Sequence, residues 1–185
     1  LVVPHEVKFA GVAHDEKRVQ IGHDLKAEKL DAAVITSPAS IAWAFNIRGG
    51  DVSCTPLPLG RAILFADGSA DLFLDEVKVS DALRQHLGNS VTLRPLADLE
   101  KGLSDLKGKT VSVDPDVASA WFFDQLEQAG ATPVRQRDPV ALPKACKNDA
   151  ELAGSAAAHL RDGVALTRFL HWLDTDAQSG EITEI

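Results

Sequence analysis

The sequence predicts an α/β fold, a mixed sheet covered by helices, and three observations carry that expectation. Short runs of strand type alternate along the chain with segments of helical periodicity. Two of the runs, Arg61–Phe65 and Ala70–Leu74, flank Asp67-Gly68, a strong signal for a tight hairpin. Past Asp138-Pro139 and Leu142-Pro143, the alternation gives way to one long helical stretch, which places a boundary near Leu142. Strands joined by a hairpin and by helical crossovers form a sheet of mixed sense with helices on its faces.

Taken in order, residues 14–30 read as a helix dense in charge, with Ile21 and Leu25 four apart and facing inward. Ala32-Ala33-Val34-Ile35-Thr36 is a short apolar run of strand type. Ser37-Pro38 supplies an N-cap and a proline at the first helical position, so residues 39–45 form a short helix. Asn46-Ile47-Arg48-Gly49-Gly50-Asp51 then breaks it into a loop. Beyond the hairpin, Val79, Ala82, Leu83 and Leu87 share one face of a helix closed by Gly88. Val91-Thr92-Leu93 is a strand, and residues 96–106 are helical in spite of Gly102. Thr110-Val111-Ser112-Val113 is a strand ending at Asp114-Pro115. Ala118, Phe122, Leu126 and Ala129 mark another helix, ended by Gly130, and residues 132–135 form a last short strand. Two units follow from this reading: residues 1–141, and residues 142–185 with a linker and a helix over 148–176.

Composition narrows the function classes. A hydrophobic content of 45% with 25% charged residues is enough for a packed core. A net charge of −8 argues against nucleic-acid binding, which needs a basic face. No apolar run reaches the length of a membrane span, and the N-terminus lacks the order of a signal peptide. Cys54 and Cys146 have no second cysteine nearby, so they read as two buried free thiols of a reducing compartment. Both ends look cut: there is no methionine anywhere, and the chain stops at Ile185, shortly after Ser179-Gly180 and what reads as a new helix start. A fragment of a longer protein is expected.

The usual catalytic patterns are missing. His5, His14, His23, His86, His159 and His171 form neither HExxH nor HxH and read as solvated or helix-surface residues, with a metal site assembled from scattered positions left open. There is no GxSxG elbow, no Walker lysine and no dinucleotide glycine loop. The acid pairs Asp15-Glu16 and Asp75-Glu76 stand at helix starts, where they complement the helix dipole. One segment is different. Trp43, Asn46, Arg48 and Asp51 gather an aromatic, an amide, a guanidinium and a carboxylate around two glycines. Arginine offers a rigid fork for a carboxylate or peptide carbonyl, and the glycines allow close approach of another chain. Asn46, Arg48 and Asp51 are therefore candidate substrate-binding residues; the alternative is that Arg48 and Asp51 pair and pin the loop.

Two blocks carry a family resemblance. Asp31-Ala32-Ala33-Val34-Ile35-Thr36 followed by Ile41-Ala42-Trp43-Ala44-Phe45-Asn46-Ile47-Arg48-Gly49-Gly50-Asp51 resembles the second domain of the large, three-domain aminopeptidases P, the Xaa-Pro aminopeptidases. Lys144-Ala145-Cys146-Lys147-Asn148, Glu151, His159 to Leu166, Arg168-Phe169, Trp172-Leu173 and Thr183-Glu184-Ile185 are similar to the linker and first helix of that family's catalytic domain. The resemblance implies a creatinase-N-terminal-like middle domain and the start of a pita-bread catalytic domain. It implies a metalloaminopeptidase that removes an N-terminal residue preceding proline. The parent's catalytic domain would hold two divalent metal ions, usually manganese, on two Asp, one His and two Glu, with a bridging hydroxide as nucleophile. None of those ligands falls within this chain, so no catalytic or metal residue and no cofactor is assigned to it. The resemblance gives Asn46, Arg48 and Asp51 no defined role; their place at the active-site mouth is inferred from the loop's composition.

The implied partners are proline-containing peptides and the rest of the catalytic domain in cis, in a cytoplasmic enzyme, with no nucleic acid and no membrane. This piece itself would be a non-catalytic structural or substrate-gating domain. Two alternatives remain: a non-catalytic peptide- or protein-binding module of the pita-bread family, or another enzyme of that fold such as a prolidase or creatinase. The long helix carries one apolar stripe on Ala153, Ala156, Ala157, Leu160 and Val164 and a second, rotated one on Leu166, Phe169, Leu170 and Leu173. With the remainder of the catalytic domain missing, the second stripe, with Trp172 beside it, is expected to pair the fragment into a homodimer.

Overall fold

The computed structural model describes residues 1–179. The chain divides into two compact units, Leu1–Lys147 and a second beginning at Asn148, so residues 142–147 stay with the first. In the first unit the elements run β1 (Val2–Pro4), α1 (Val7–Ala10), α2 (His14–Ala27), β2 (Ala32–Ile35), α3 (Pro38–Ala44), β3 (Ile47–Gly49), β4 (Arg61–Phe65) and β5 (Ala70–Leu74). They continue with α4 (Asp81–Leu87), β6 (Val91–Pro95), α5 (Leu99–Ser104), β7 (Thr110–Val113), α6 (Ala120–Ala129), β8 (Thr132–Arg135) and α7 (Ala141–Ala145).

Six strands form one mixed sheet in the order β6-β5-β4-β2-β7-β8. The hairpin β4–β5 and the pair β2–β4 are antiparallel; β5–β6, β2–β7 and β7–β8 are parallel, as crossovers through α4, α5 and α6 require. Strand β2 reads as an unbroken apolar run because both of its faces are covered. Its alternation sorts the core into two layers. Ala33 and Ile35 join Ala62, Leu64, Leu72 and Leu74 under α2, α3 and α4, where Ile21, Leu25, Ile41, Phe45 and Leu83 pack. Ala32 and Val34 join Ile63, Phe73, Val111 and Val113 under α5 and α6, where Leu103, Phe122, Phe123 and Leu126 pack. A Cβ on Gly102 would lie 2.4 Å from the Phe73 ring, so the glycine that counted against α5 is what lets this helix sit on the sheet.

Several elements differ from the sequence reading. Residues 47–49, read as loop, form β3, which pairs antiparallel with β1 in a separate two-stranded ribbon. Strands of three residues leave too little alternation to detect, and the partner lies more than forty positions away. Helix α1, with four residues, and helix α7, with five, are also too short to show a period; in α7 Pro143 sits within the first turn, where its missing N–H costs nothing. Residues 96–98 form a 3-10 turn before α5 begins. Both cysteines are exposed, against the expectation of buried thiols, because Cys54 stands in a surface loop and Cys146 follows α7 at the surface.

The second unit is α8 (Asp149–Thr175) followed by a 3-10 turn at Ala177–Ser179. Its start is well defined: Asn148 Oδ1 accepts from the Glu151 N–H at 3.0 Å, and Glu151 Oε2 accepts from the Asn148 N–H at 3.1 Å, a reciprocal capping box. None of its residues is buried. The helix expected to open after Gly180, like Thr183-Glu184-Ile185, lies outside the described residues.

Candidate functional site

The candidate segment begins at a helix with a firm start and an abrupt stop. Ser37 Oγ accepts from the Ser40 N–H and Pro38 occupies the first turn of α3, as anticipated. At its far end Asn46 adopts φ +47°, the left-handed conformation that asparagine tolerates better than most side chains, and the chain turns into β3. Asn46 is only 1% exposed and its amide is engaged at both ends. Oδ1 accepts from Lys17 Nζ at 2.7 Å, and Nδ2 donates to the Val12 carbonyl at 2.9 Å. Its own carbonyl accepts from the His5 N–H at 2.7 Å, which attaches the exit of β1.

Lys17 is the residue that sequence reasoning missed. It is 5% exposed; its ammonium also donates to the Trp43 carbonyl at 3.2 Å and lies 4.1 Å from the centroid of the Trp43 ring. The signal was present in the spacing, since Lys17 precedes Ile21 and Leu25 by one and two turns on the inward stripe of α2. Charge on that stripe obscured it.

Arg48 lies in β3 opposite Val3 of β1, half-buried, while its neighbour Ile47 is in the core. Its Nη1 donates to the Ile47 carbonyl at 2.9 Å and the Ala42 carbonyl at 3.3 Å, which folds the side chain back along the end of α3. Gly49 is required by contact: a Cβ there would meet Pro58 Cα at 2.8 Å, whereas Gly50 faces open space. Asp51 Oδ2 accepts from the Leu59 N–H at 2.7 Å and from Lys78 Nζ at 2.9 Å. The Lys78 ammonium, and then the Leu59 N–H, hold the Asp51 carboxyl below the ordinary aspartate range. Asp51 thus closes the 51–59 loop, with Lys78 as its ion partner. The structure brings Asn46, Arg48 and Asp51 onto one short segment, with Asn46 inside the fold and Arg48 and Asp51 progressively nearer its surface.

A second buried cation stands beside Lys17. Arg18, 1% exposed, donates through Nη1 to His14 Nδ1, through Nη2 to Ser90 Oγ at 2.9 Å and through Nε to the Gly68 carbonyl at 3.4 Å. His14 Nε2 faces the His86 carbonyl at 2.8 Å and must carry the proton, which leaves Nδ1 as the acceptor for Arg18. His86 Nε2 donates to the Phe45 carbonyl at 3.0 Å. Burial pulls the Arg18 guanidinium down to about 10, and burial followed by the Arg18 charge lowers the His14 imidazole below its ordinary value. His14 and His86, half-buried on α2 and α4, are therefore hydrogen-bonded parts of the fold rather than solvated side chains. Burial also raises the Asp138 carboxyl, against the opposing hydrogen bonds from Ser40 and the Val140 N–H. Among the described residues no three His, Cys, Asp or Glu side chains converge as a metal site would require.

Comparison with known proteins gives this architecture a family context. The model of the Creatinase/Prolidase N-terminal domain matches residues 1–151. The chain is 35% identical over 185 residues to a probable Xaa-Pro aminopeptidase P of Coccidioides posadasii, and 33% identical over 191 residues to one of Paracoccidioides brasiliensis. Each match covers 95% of this chain and 30% of the relative, so the chain spans somewhat under a third of those proteins. Among solved structures, an X-prolyl aminopeptidase of Caenorhabditis elegans, described as a cytosolic enzyme with a di-nuclear active site, superposes with a TM-score of 0.86 at 28% identity. That superposition covers 97% of this chain and 30% of the nematode protein.

Proposed function

Because this chain belongs to the Creatinase/Prolidase N-terminal domain family, we propose that it is the non-catalytic middle domain and first catalytic-domain helix of a metal-dependent Xaa-Pro aminopeptidase. The observation that carries the proposal is the match of nearly the whole chain, at its full 95% coverage, to relatives named for that activity. In this reading the substrates are peptides with proline in the second position. Proline's imide has no N–H and fixes the local backbone, so a peptidase that handles it needs a shaped entrance.

Residues 1–147 would supply part of that entrance. The Asn46–Asp51 segment runs from the buried end of α3 through β3 out to exposed Gly50 and Asp51, so that a rigid scaffold carries polar groups and two glycines toward the surface, where binding residues tend to sit. Arg48 and Asp51 would face the substrate side, and Asn46 would hold the segment from within. The two metal ions, manganese in this proposal, would be held by residues outside those described and, when bound, would activate water for attack on the peptide bond before proline. The cytosolic nematode neighbour supports a cytoplasmic location. The apolar side of α8 would be covered by the remainder of the catalytic domain; in the 185-residue chain alone, Leu166, Phe169, Leu170 and Leu173 would pair two copies.

The test is the full-length protein with added manganese and an Ala-Pro-type tripeptide. Release of the N-terminal alanine is expected, and Arg48→Ala is expected to raise KM or lower kcat/KM with the melting temperature unchanged. No release by a full-length protein that carries all five metal ligands would overturn the activity. Arg48→Ala lowering only the melting temperature would reduce the segment to a structural one. Sedimentation of the 185-residue chain as a strict monomer at high concentration would remove the pairing.

A further inference from the structure

We infer that Lys17 is a positioning residue: its buried ammonium sets the conformation in which the Asn46–Asp51 segment presents Arg48. The kinetic consequence rests on the substrate-entrance reading; the structural consequence does not.

An ammonium group has three donors and no acceptor. In Lys17 two of them reach the Trp43 carbonyl at 3.2 Å and Asn46 Oδ1 at 2.7 Å, and the Trp43 ring lies 4.1 Å away. Trp43 stands in the last turn of α3, where its carbonyl also accepts from the Asn46 N–H at 3.4 Å and where a cation is favourable. The same ammonium therefore reaches both the last turn of α3 and the side-chain oxygen of Asn46, and orients that amide. Asn46 needs that orientation. With Nδ2 turned to the Val12 carbonyl, Oδ1 must face a donor, and Lys17 is the donor it meets.

The consequence passes down the chain. Asn46 holds a left-handed φ of +47°, and β3 begins at the next residue. Side chains alternate sides along a strand, so the turn at Asn46 decides that Ile47 enters the core and Arg48 does not. Without the Lys17 contact, Asn46 Oδ1 loses its charged partner at a buried residue and the Trp43 carbonyl loses one of its donors, and relaxation of the turn is the cheapest remedy. The first thing to move would be Arg48. A lysine chosen only to fill space would not need this coincidence of a helix end, an amide and a ring on one nitrogen.

The experiment compares Lys17→Met, Lys17→Arg and Arg48→Ala. Hydrogen exchange on the 185-residue chain is expected to show the amides of residues 46–51 exchanging roughly tenfold faster in Lys17→Met, with those of β2 and β7 unchanged. In the full-length protein, Lys17→Met is expected to raise KM for an Ala-Pro tripeptide about tenfold with kcat nearly constant, and Lys17→Arg to recover part of it because the charge is kept. Unchanged exchange at 46–51, or a uniform rise over the whole first unit, overturns the inference. If Lys17→Met loosens the segment while Arg48→Ala leaves KM unchanged, the inference stands and the entrance reading fails. If Arg48→Ala raises KM and Lys17→Met moves neither exchange nor KM, the positioning role fails. Should Lys17→Met not fold, Asn46→Gly keeps the left-handed backbone, removes the amide and carries the same readouts.

Discussion

Helix α2 is dense in charge and yet turns Lys17, Arg18, Ile21, Gly22 and Leu25 inward, whereas α8 carries Leu160, Val164, Leu166, Phe169, Leu170 and Leu173 and buries none of its residues. By composition alone the two helices would exchange places. Burial follows from what lies across from a helix. Helix α2 lies over strands β2 and β4 and beside α3, and its Lys17 donates to the Trp43 carbonyl of α3 and to the Asn46 amide oxygen just beyond it. In the described residues α8 leaves Leu160 73% and Phe169 52% exposed. Burying such side chains is worth roughly 1.5–3 kcal/mol each, which is why a covering partner is central to the proposed function.

The strongest way to break this contrast is to remove the buried guanidinium. Arg18→Ala is expected to cost about 3 kcal/mol, since it opens a cavity and leaves His14 Nδ1 and Ser90 Oγ without their donor. Urea unfolding of the 185-residue chain measures it. A loss within that of an ordinary surface change would mean that α2 is buried only in appearance. On the other side of the contrast, Leu170→Ala in α8 is expected to change the stability of this chain by less than about 0.5 kcal/mol at dilution. In the full-length protein the same substitution is expected to cost about 2 kcal/mol, because there the side chain would be covered. Equal small effects in both contexts would leave α8 without a partner.

A gentler probe is pH. His14 has a folded pKa below its unfolded value of 6.5, so the unfolded chain binds the extra proton more readily. The stability that comes from keeping His14 neutral is present above 6.5 and is lost as pH falls through 6.5 toward the lower folded value. The melting temperature is expected to fall between pH 7 and pH 5, and His14→Gln, which donates and accepts without titrating, is expected to flatten that slope. An unchanged slope would remove His14 from the cluster's energetics. The smallest effect belongs to the surface: Asp51→Asn weakens the Lys78 pair and is expected to cost about 0.3 kcal/mol. Its lowered pKa makes any contribution one that is present above the unfolded value and lost on further acidification.

By itself the sequence determined the order of the long elements. The apolar run of β2, the Asp67-Gly68 hairpin, the Ser37-Pro38 start of α3 and the Asn148–Glu151 cap all depend on residues within a few positions of one another, and each is where local chemistry put it. The residues that carry the family likeness were legible for the same reason, being contiguous. Tertiary structure decided the rest. The β1–β3 ribbon, the acceptors that Lys17 and Arg18 meet inside the fold, the pairing of Asp51 with Lys78 and the exposure of both cysteines join or separate groups from distant parts of the chain. A charged side chain goes inside only where donors find acceptors already in place, and no local pattern on α2 announces the carbonyl of Trp43, the amide of Asn46 or the ring of His14.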